Sequence, residues 1–417
     1  MEISRFDFKG LRALVRVDFN VPINAEGVIT DDTRMRAALP TLKQIISQGG
    51  VAIVVSHLGR PKGIEEKNTL RQLIPHLEKL MGCSVAFCSA SVGEEARCAL
   101  KEIPMGSIVL LENIRFYEEE EGKLRQSEGL DAEALKQAKS ELKARQKVFA
   151  QELSTLADVY VNDAFGTAHR AHASTALVAQ YFSADKKMFG YLMQKEVAAV
   201  DSVLLHARKP FTAIIGGAKV SSKIDIIENL LNRVDNLVIV GGMAYTFAKA
   251  QGGSIGKSLF EKDKVSVAAE VLEKAQAKGV RLLLPVDTVA TQAFSNDAPA
   301  RVFPTNAIED GWMGMDIATE AAADMSRVLL ESQTILWNGP AGVFEFDNFA
   351  KGSEAIAQAV AQATQKGAYS LVGGGDSVAC INKLGLEEQI SYVSTGGGAL
   401  LEAIEGKVLP GVAAIKE

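Results

Sequence analysis

An α/β fold of two Rossmann-like domains, each a parallel sheet with helices on both faces, is predicted by three features of the chain. Apolar runs of strand length alternate with helical patterns throughout, which implies parallel strands joined by crossover helices. At 417 residues the chain is too long for one compact core and suits two domains of about 150 to 200 residues. The third feature is chemical. Strand ends in the first half carry Asp, Asn, His and Arg, whereas those in the second half carry glycine clusters.

In the first half, strands are expected over Leu11–Phe19, Val51–Ser56, Ser84–Cys88, Ser107–Leu111 and Val159–Asn162. Between the first two, Met35, Leu39, Leu42, Ile45 and Ile46 keep the 3.6-residue spacing of a core-facing helix. The segment Glu118–Gln146 breaks the rhythm. It opens acidic, from Glu118 to Glu121, then places Leu135, Ala138, Leu142, Phe149, Leu153 and Leu156 at helical spacing. It reads as a solvated loop followed by a surface helix with a structural role. The domain join is placed near Lys186–Gly190, so that residues 1–188 form one domain and 189–405 the other. A helical hinge from about Tyr191 to His206 follows across the expected cleft, and Lys209-Pro210 ends it. Second-half strands are expected over Phe211–Ile215, Asn236–Val240, Arg281–Pro285, Thr334–Trp337, Tyr369–Val372 and Ile390–Val393.

Composition narrows the function. Hydrophobic content of 47% and charged content of 23% describe an ordinary soluble globular protein. A net charge of −6 argues against bulk nucleic-acid binding. No apolar run approaches the roughly 20 residues that span a bilayer, and Met1-Glu2-Ile3-Ser4-Arg5 lacks the layout of a signal peptide. Cys83, Cys88, Cys98 and Cys380 show no paired spacing, so reduced thiols in a cytoplasmic protein are expected.

The glycine clusters read Ile214-Ile215-Gly216-Gly217, Val238-Ile239-Val240-Gly241-Gly242, Leu371-Val372-Gly373-Gly374-Gly375 and Ser394-Thr395-Gly396-Gly397-Gly398, with Trp337-Asn338-Gly339-Pro340 as a variant. Ligands of parallel sheets bind beyond the carboxyl ends of the strands. A glycine turn entering a helix lets backbone N–H groups approach an anion, with the helix dipole assisting. A nucleotide's phosphates are the expected guest. No stretch fits the Gly-x-Gly-x-x-Gly fingerprint, which argues against a nicotinamide dehydrogenase. The segment Gly252–Ser258 imitates a Walker A loop but is one residue short, since position 251 is Gln, and it reads as a decoy. Lys219 and Lys223, four residues apart just after a strand, sit where a helix dipole disfavours cations, which suggests a phosphate partner. Asp376 is expected to open a helix as its N-cap, or to hold Mg²⁺ beside a polyphosphate.

In the first half the strand ends read Val17-Asp18-Phe19-Asn20, Ser56-His57-Leu58-Gly59-Arg60, Glu112-Asn113-Ile114-Arg115 and Asn162-Asp163-Ala164-Phe165. Arg34 and Arg36 follow Asp31-Asp32 in the opening turn of a helix, and Arg170 lies past the last strand. Residues 1–188 hold 12 of the 17 arginines and four of the five histidines, whereas residues 189–417 hold 24 of the 36 glycines. Arg34, Arg60, Arg115 and Arg170 converging with His57 would repel one another unless a polyanion filled the cleft. His169 and His172 read as capping or packing groups.

These motifs resemble the phosphoglycerate kinase family. The resemblance runs from Arg16-Val17-Asp18-Phe19-Asn20-Val21-Pro22 to Glu405-Gly406-Lys407-Val408-Leu409-Pro410-Gly411, and Asp163–His172 and Trp337–Glu345 carry its most specific runs. It implies phosphoryl transfer between 1,3-bisphosphoglycerate and ADP, giving 3-phosphoglycerate and MgATP. Matching substrate positions are Asp18, Phe19, Asn20, Arg34, His57, Leu58, Gly59, Arg60, Arg115 and Arg170. Matching nucleotide positions are Lys219, Lys223, Gly241, Gly314, Asn338, Glu345, Gly374, Gly375, Asp376 and Ser377, with Glu345 at the ribose and Asp376 at Mg²⁺. The resemblance also implies a monomer whose segment 406–417 returns to the first domain. Ser377 stands where the family most often has Thr, and Leu400 where Ser is common.

A carboxylate nucleophile is already ionised near neutral pH, so no general base is required. The burden is electrostatic, with Lys219 and Arg34 expected to cradle the transferring group and domain closure to bring the substrates together. The alternative is an inactive nucleotide-binding regulator that kept the fold; loss of Lys219, Arg34 or Asp376 would favour it, and all three are present.

Overall fold

The computed structural model describes residues 2–417, which form two compact units, residues 2–197 with 408–417 and residues 198–407. The first unit is built on a six-stranded parallel sheet of β1 (Arg12–Val17), β2 (Val51–Val55), β3 (Val85–Cys88), β4 (Ile108–Leu111), β5 (Val159–Asp163) and β6 (Lys187–Phe189). Their order is β3-β4-β2-β1-β5-β6. Side chains alternate across a strand, and β1 shows the result. Ala13, Val15 and Val17 pack in one layer with Met35, Ala38, Leu42 and Ile45 of helix Thr33–Ser47. Leu14 packs in the opposite layer with Phe149, Ala150 and Leu153 of helix Ala132–Ser154. Burial on both faces explains the near-continuous apolar runs, each Val or Leu contributing about 1.5–3 kcal/mol.

Three expectations are corrected in this unit. Residues 187–189, given no strand in the sequence reading, are an edge strand paired with β5; three residues are too few to show a pattern. β1 ends at Val17, so Asp18 and Phe19 are loop residues rather than strand. The acidic stretch Glu118–Glu121 is a short helix, and Glu120 within it is fully buried rather than solvated. The helix that follows is N-capped by Asp131, whose carboxylate accepts from Glu133 and Ala134 N–H. Residues 408–417 complete the unit: Gly411 N–H donates to Ala168 (2.8 Å) and Asn162 Nδ2 donates to Gly411 O (3.2 Å).

The second unit holds another six-stranded parallel sheet, ordered β10-β8-β7-β15-β16-β17. Its members are β7 (Phe211–Ile215), β8 (Asn236–Ile239), β10 (Arg281–Leu283), β15 (Thr334–Asn338), β16 (Tyr369–Val372) and β17 (Tyr392–Val393). Two small sheets were not anticipated. β11 (Asp287–Thr291), β12 (Ala300–Pro304) and β14 (Met313–Ile317) form an antiparallel sheet, and β9 (Ser254–Ile255) pairs with β13 (Ala307–Ile308). They are short and mix polar with apolar residues, and β12 is largely exposed, so they lack the apolar run that marks a strand buried on both faces.

Both large sheets reverse direction at the middle. In the first, β1 leads to β2 on one side while β5 leads to β6 on the other; in the second, β7 leads to β8 and β15 to β16. The crevice beyond the carboxyl ends at such a switch is where open α/β sheets bind ligands.

Candidate functional site

In the first unit, the switch point lies between β1 and β5, and the charged residues gather on the ends of β1, β2, β4 and β5. Asp18 and Asn20 leave β1, and Arg34 enters from the first turn of helix Thr33–Ser47. Its Nη1 donates to Asn20 O (2.9 Å) and lies 3.4 Å from Asp18 Oδ2. Asn20 Oδ1 accepts from Gly59 N–H (2.8 Å) after β2, and Arg115 Nη1, after β4, donates to Gly59 O (2.9 Å). His57 Nδ1 is 3.9 Å from Asp18 Oδ1. Burial, with Arg16, Arg115, His172 and Arg34 around it, drives the His57 pKa well below that of free imidazole. His57 is therefore neutral at pH 7. Burial also lowers the Arg115 pKa, offset by Glu121 and reinforced by the charges of Arg16 and Arg170. Arg60 is exposed, with no hydrogen bond or ion pair among the described residues. Gly166 passes so close to Asp18 that a Cβ would lie 2.7 Å from Oδ2.

Not every expected residue presents its side chain. Phe19 and Leu58 are buried in the hydrophobic core, so only their backbone remains for a ligand. Arg36 turns away to pair with Asp32 (2.8 Å), whose other oxygen meets His76 Nε2 (2.8 Å). His172 is buried and faces Glu120.

In the second unit, the five glycine turns follow β7, β8, β15, β16 and β17, which are adjacent in the sheet. At the switch point the turns after β7 and β15 touch: Gly216 N–H donates to Asn338 O (2.8 Å), and a Cβ on Gly216 would fall 2.4 Å from Pro340 O. Asn338 organises the neighbouring turn. Its Nδ2 donates to Gly373 O (2.6 Å), and its Oδ1 accepts from the Lys223 ammonium. Burial lowers the Lys223 pKa, opposed by Asp376 and Glu405. Lys219 is exposed, and its ammonium has no partner among the described residues. Ser377 Oγ accepts from Gly339 N–H.

Asp376 is not the N-cap expected for helix Gly375–Leu384. Gly374 holds that position with φ +96°, where an L side chain would be strained, and a Cβ there would lie 2.4 Å from Asn338 Nδ2. Asp376 stands one residue inside the helix and lines the pocket. Leu400 packs beneath the same turn, so close that a Cβ on Gly373 would lie 2.0 Å from its Cδ2.

Beside these turns opens a cavity of about 730 Å³, within the usual range for a ligand pocket. Gly241, Gly314, Glu345 and Asp376 line it, while Lys219, Lys223, Asn338, Gly374, Gly375 and Ser377 do not. Its walls include Tyr245, Leu259, Phe294, Met313, Val343 and Phe346, which sequence reasoning missed. The available signal was exposure of large apolar side chains, 65% for Phe294 and 55% for Leu259. The loop Gly252–Ser258 contributes as well: Lys257 lines the pocket, and Ser258 Oγ accepts from Gly314 N–H (2.9 Å). It cradles nothing as a Walker loop would, yet it fixes one wall. Gly314 is flat because Tyr245 presses on it; a Cβ would lie 1.9 Å from the Tyr245 hydroxyl.

Among the described residues no cluster of three His, Cys, Asp or Glu side chains forms a metal cage. A single carboxylate at a phosphate cradle still suits Mg²⁺, which takes one or two carboxylates together with phosphate oxygens. Among the described residues no helix is long and apolar enough to cross a membrane.

Comparison with known proteins agrees with this geometry. The phosphoglycerate kinase family model matches residues 3–407. The chain is 58% identical over 417 residues to a phosphoglycerate kinase of Porphyromonas gingivalis, covering 100% of both chains. It is 50% identical to a cytosolic phosphoglycerate kinase of Nicotiana tabacum, covering 100% of this chain and 98% of that one. A solved phosphoglycerate kinase from Coxiella burnetii superposes with a TM-score of 0.87 at 38% identity, covering 100% and 98% of the two chains.

Proposed function

The chain belongs to the phosphoglycerate kinase family and transfers a phosphoryl group reversibly between 1,3-bisphosphoglycerate and ADP; from that premise we propose how its residues divide the work. The first unit takes 3-phosphoglycerate against Arg34, Arg60, Arg115 and Arg170, with His57, Asp18 and Asn20 completing the site. The observation that carries this reading is the concentration of buried and half-buried cations on four adjacent strand ends, only partly balanced by Asp18 and Glu121. A doubly charged phosphate and a carboxylate would supply the missing anions.

The nucleotide occupies the glycine-walled cavity of the second unit. The base lies between Gly241 and the apolar wall, Gly314 included, and the ribose hydroxyls meet Glu345. The phosphates reach the amides of Gly374 and Gly375, Ser377, Asn338 and Lys223. Asp376 would hold Mg²⁺, which when bound neutralises phosphate charge.

The acceptor carboxylate needs no base, and neutral His57 is suited to donate a hydrogen bond rather than to take a proton. Lys219, without a partner of its own, is free to follow charge as it spreads over the transferring group, with Arg34 its counterpart in the other unit. Transfer requires the reacting atoms within about 3 Å, so turnover includes closure of one unit on the other. The reading as an inactive regulator is not favoured, because every residue it would require to be lost is present. A cytoplasmic monomer is the setting we infer, its location supported by the cytosolic relative.

Titration calorimetry tests the substrate assignment. Arg60→Ala should weaken 3-phosphoglycerate binding by about tenfold or more and leave ADP affinity alone. Unchanged 3-phosphoglycerate affinity removes Arg60 from the site.

A further inference from the structure

We propose that Glu120, in the acidic segment Glu118–Glu121, is a positioning residue of the 3-phosphoglycerate site that acts through Ser174, Arg16 and His57. This rests on the substrate reading given above. Glu120 is fully buried, and so is Arg16. A buried guanidinium requires an anion and satisfied hydrogen bonds, and Glu120 supplies both through one hydroxyl. Glu120 Oε1 accepts from Ser174 Oγ (2.7 Å), and Oε2 accepts from Ser174 N–H (2.9 Å). The Ser174 proton is thereby committed, so its lone pair faces Arg16 Nε, which donates to it at 2.8 Å.

Arg16 Nη2 then lies 3.3 Å from His57 Nδ1. Guanidinium nitrogens only donate, so Nδ1 must accept, and the ring proton resides on Nε2. The carboxylate of Glu120 thus helps, through Ser174, to hold the guanidinium against His57, and that guanidinium leaves Nε2 as the nitrogen that can donate to an anionic substrate. The burial that keeps His57 neutral is consistent with this polarity.

The same segment and the turn after it also make contacts close to two substrate arginines. Glu120 O accepts from Ala173 N–H (2.9 Å), tying down the loop that follows Arg170. Glu121 Oε1 lies 3.5 Å from Arg115 Nε, and Arg125 donates to Arg115 O (2.6 Å). Glu120 itself touches no ligand.

The experiment compares Glu120→Gln, Ser174→Ala, the double variant and Arg60→Ala by steady-state kinetics in both substrates. Glu120→Gln is expected to raise KM for 3-phosphoglycerate by about tenfold, with KM for MgATP unchanged and kcat within about threefold. Ser174→Ala removes a single hydroxyl and should reproduce that split, and the double variant should be no worse than the worse single, within about twofold, because both cut one relay. Multiplicative effects, or equal rises in both KM values, overturn the proposal in favour of a merely structural role. Should Glu120→Gln not fold, Ser174→Ala alone decides: an unchanged KM for 3-phosphoglycerate refutes it. Arg60→Ala separates the two levels. If it raises KM for 3-phosphoglycerate while the Glu120 and Ser174 variants do not, the relay fails and the site stands; if it has no effect, the substrate reading fails and the relay with it.

Discussion

Replacing Asp163 by Asn should stabilise the protein at pH 8 and have little effect at pH 4. Asp163 ends β5, fully buried, at the start of helix Tyr191–Leu204. Its Oδ1 accepts from Met193 N–H (3.0 Å), and Gly190 packs so tightly that a Cβ would lie 2.2 Å from the Asp163 Cγ. Burial outweighs the hydrogen bonds from Thr41, Met193 and Leu192 and raises the carboxyl pKa from 3.8 to about 7. The folded pKa lies above the unfolded one, so the neutral form favours folding. That contribution is complete below about pH 4 and is lost as pH rises through about 7. Three units correspond to a ceiling of about 4 kcal/mol, and relaxation around a buried charge reduces this to about 1–2 kcal/mol. Asn keeps the acceptor for Met193 and adds a donor for Thr41, but never ionises. Urea unfolding at pH 4 and pH 8, with fixed ionic strength, gives the difference in midpoint. Asp316, also raised to about 7 by burial, leaves part of the dependence in the variant, so the Asp316→Asn background sharpens the comparison. A variant with the same stability change relative to the parent at pH 8 as at pH 4 would refute the reasoning.

Three further outcomes are expected. Lys219→Ala should lower kcat by several orders of magnitude with a much smaller change in nucleotide affinity; a large affinity loss with intact turnover would contradict its role. Gly314→Ala places a methyl 1.9 Å from the Tyr245 hydroxyl, so ADP binding by calorimetry should weaken by about tenfold or more, with partial recovery in Tyr245→Phe. Phe294→Ala removes an exposed wall and should raise the ADP dissociation constant by about tenfold while thermal stability stays within about 2 °C.

What the chain discloses before it folds follows the physics of each feature. Strands β1, β2, β4, β5, β7, β8, β15 and β16 were legible because burial on both faces demands unbroken apolar runs. The polar and glycine residues at their ends were legible because a parallel sheet aims them at one edge. Tyr245, Leu259 and Phe294 were not, since nothing local distinguishes a large apolar side chain that walls a pocket from one that fills a core. Glu120 misled for a related reason. Four consecutive glutamates suggest water, and only the distant Ser174, Arg16 and His172 explain why one of them is dry. The separate antiparallel strands escaped notice because they are short and interleave Thr, Asp and Gly with their apolar residues.

Residues 408–417 belong to the first unit although residues 198–407 intervene. On the ribosome, the first unit must wait through synthesis of its neighbour before Gly411 can join Ala168 and Asn162. The second unit is therefore free to mature first, and the first unit is sealed only by a late-arriving strip of chain. A nascent protein halted before Val408 would carry one finished lobe and one with an open seam.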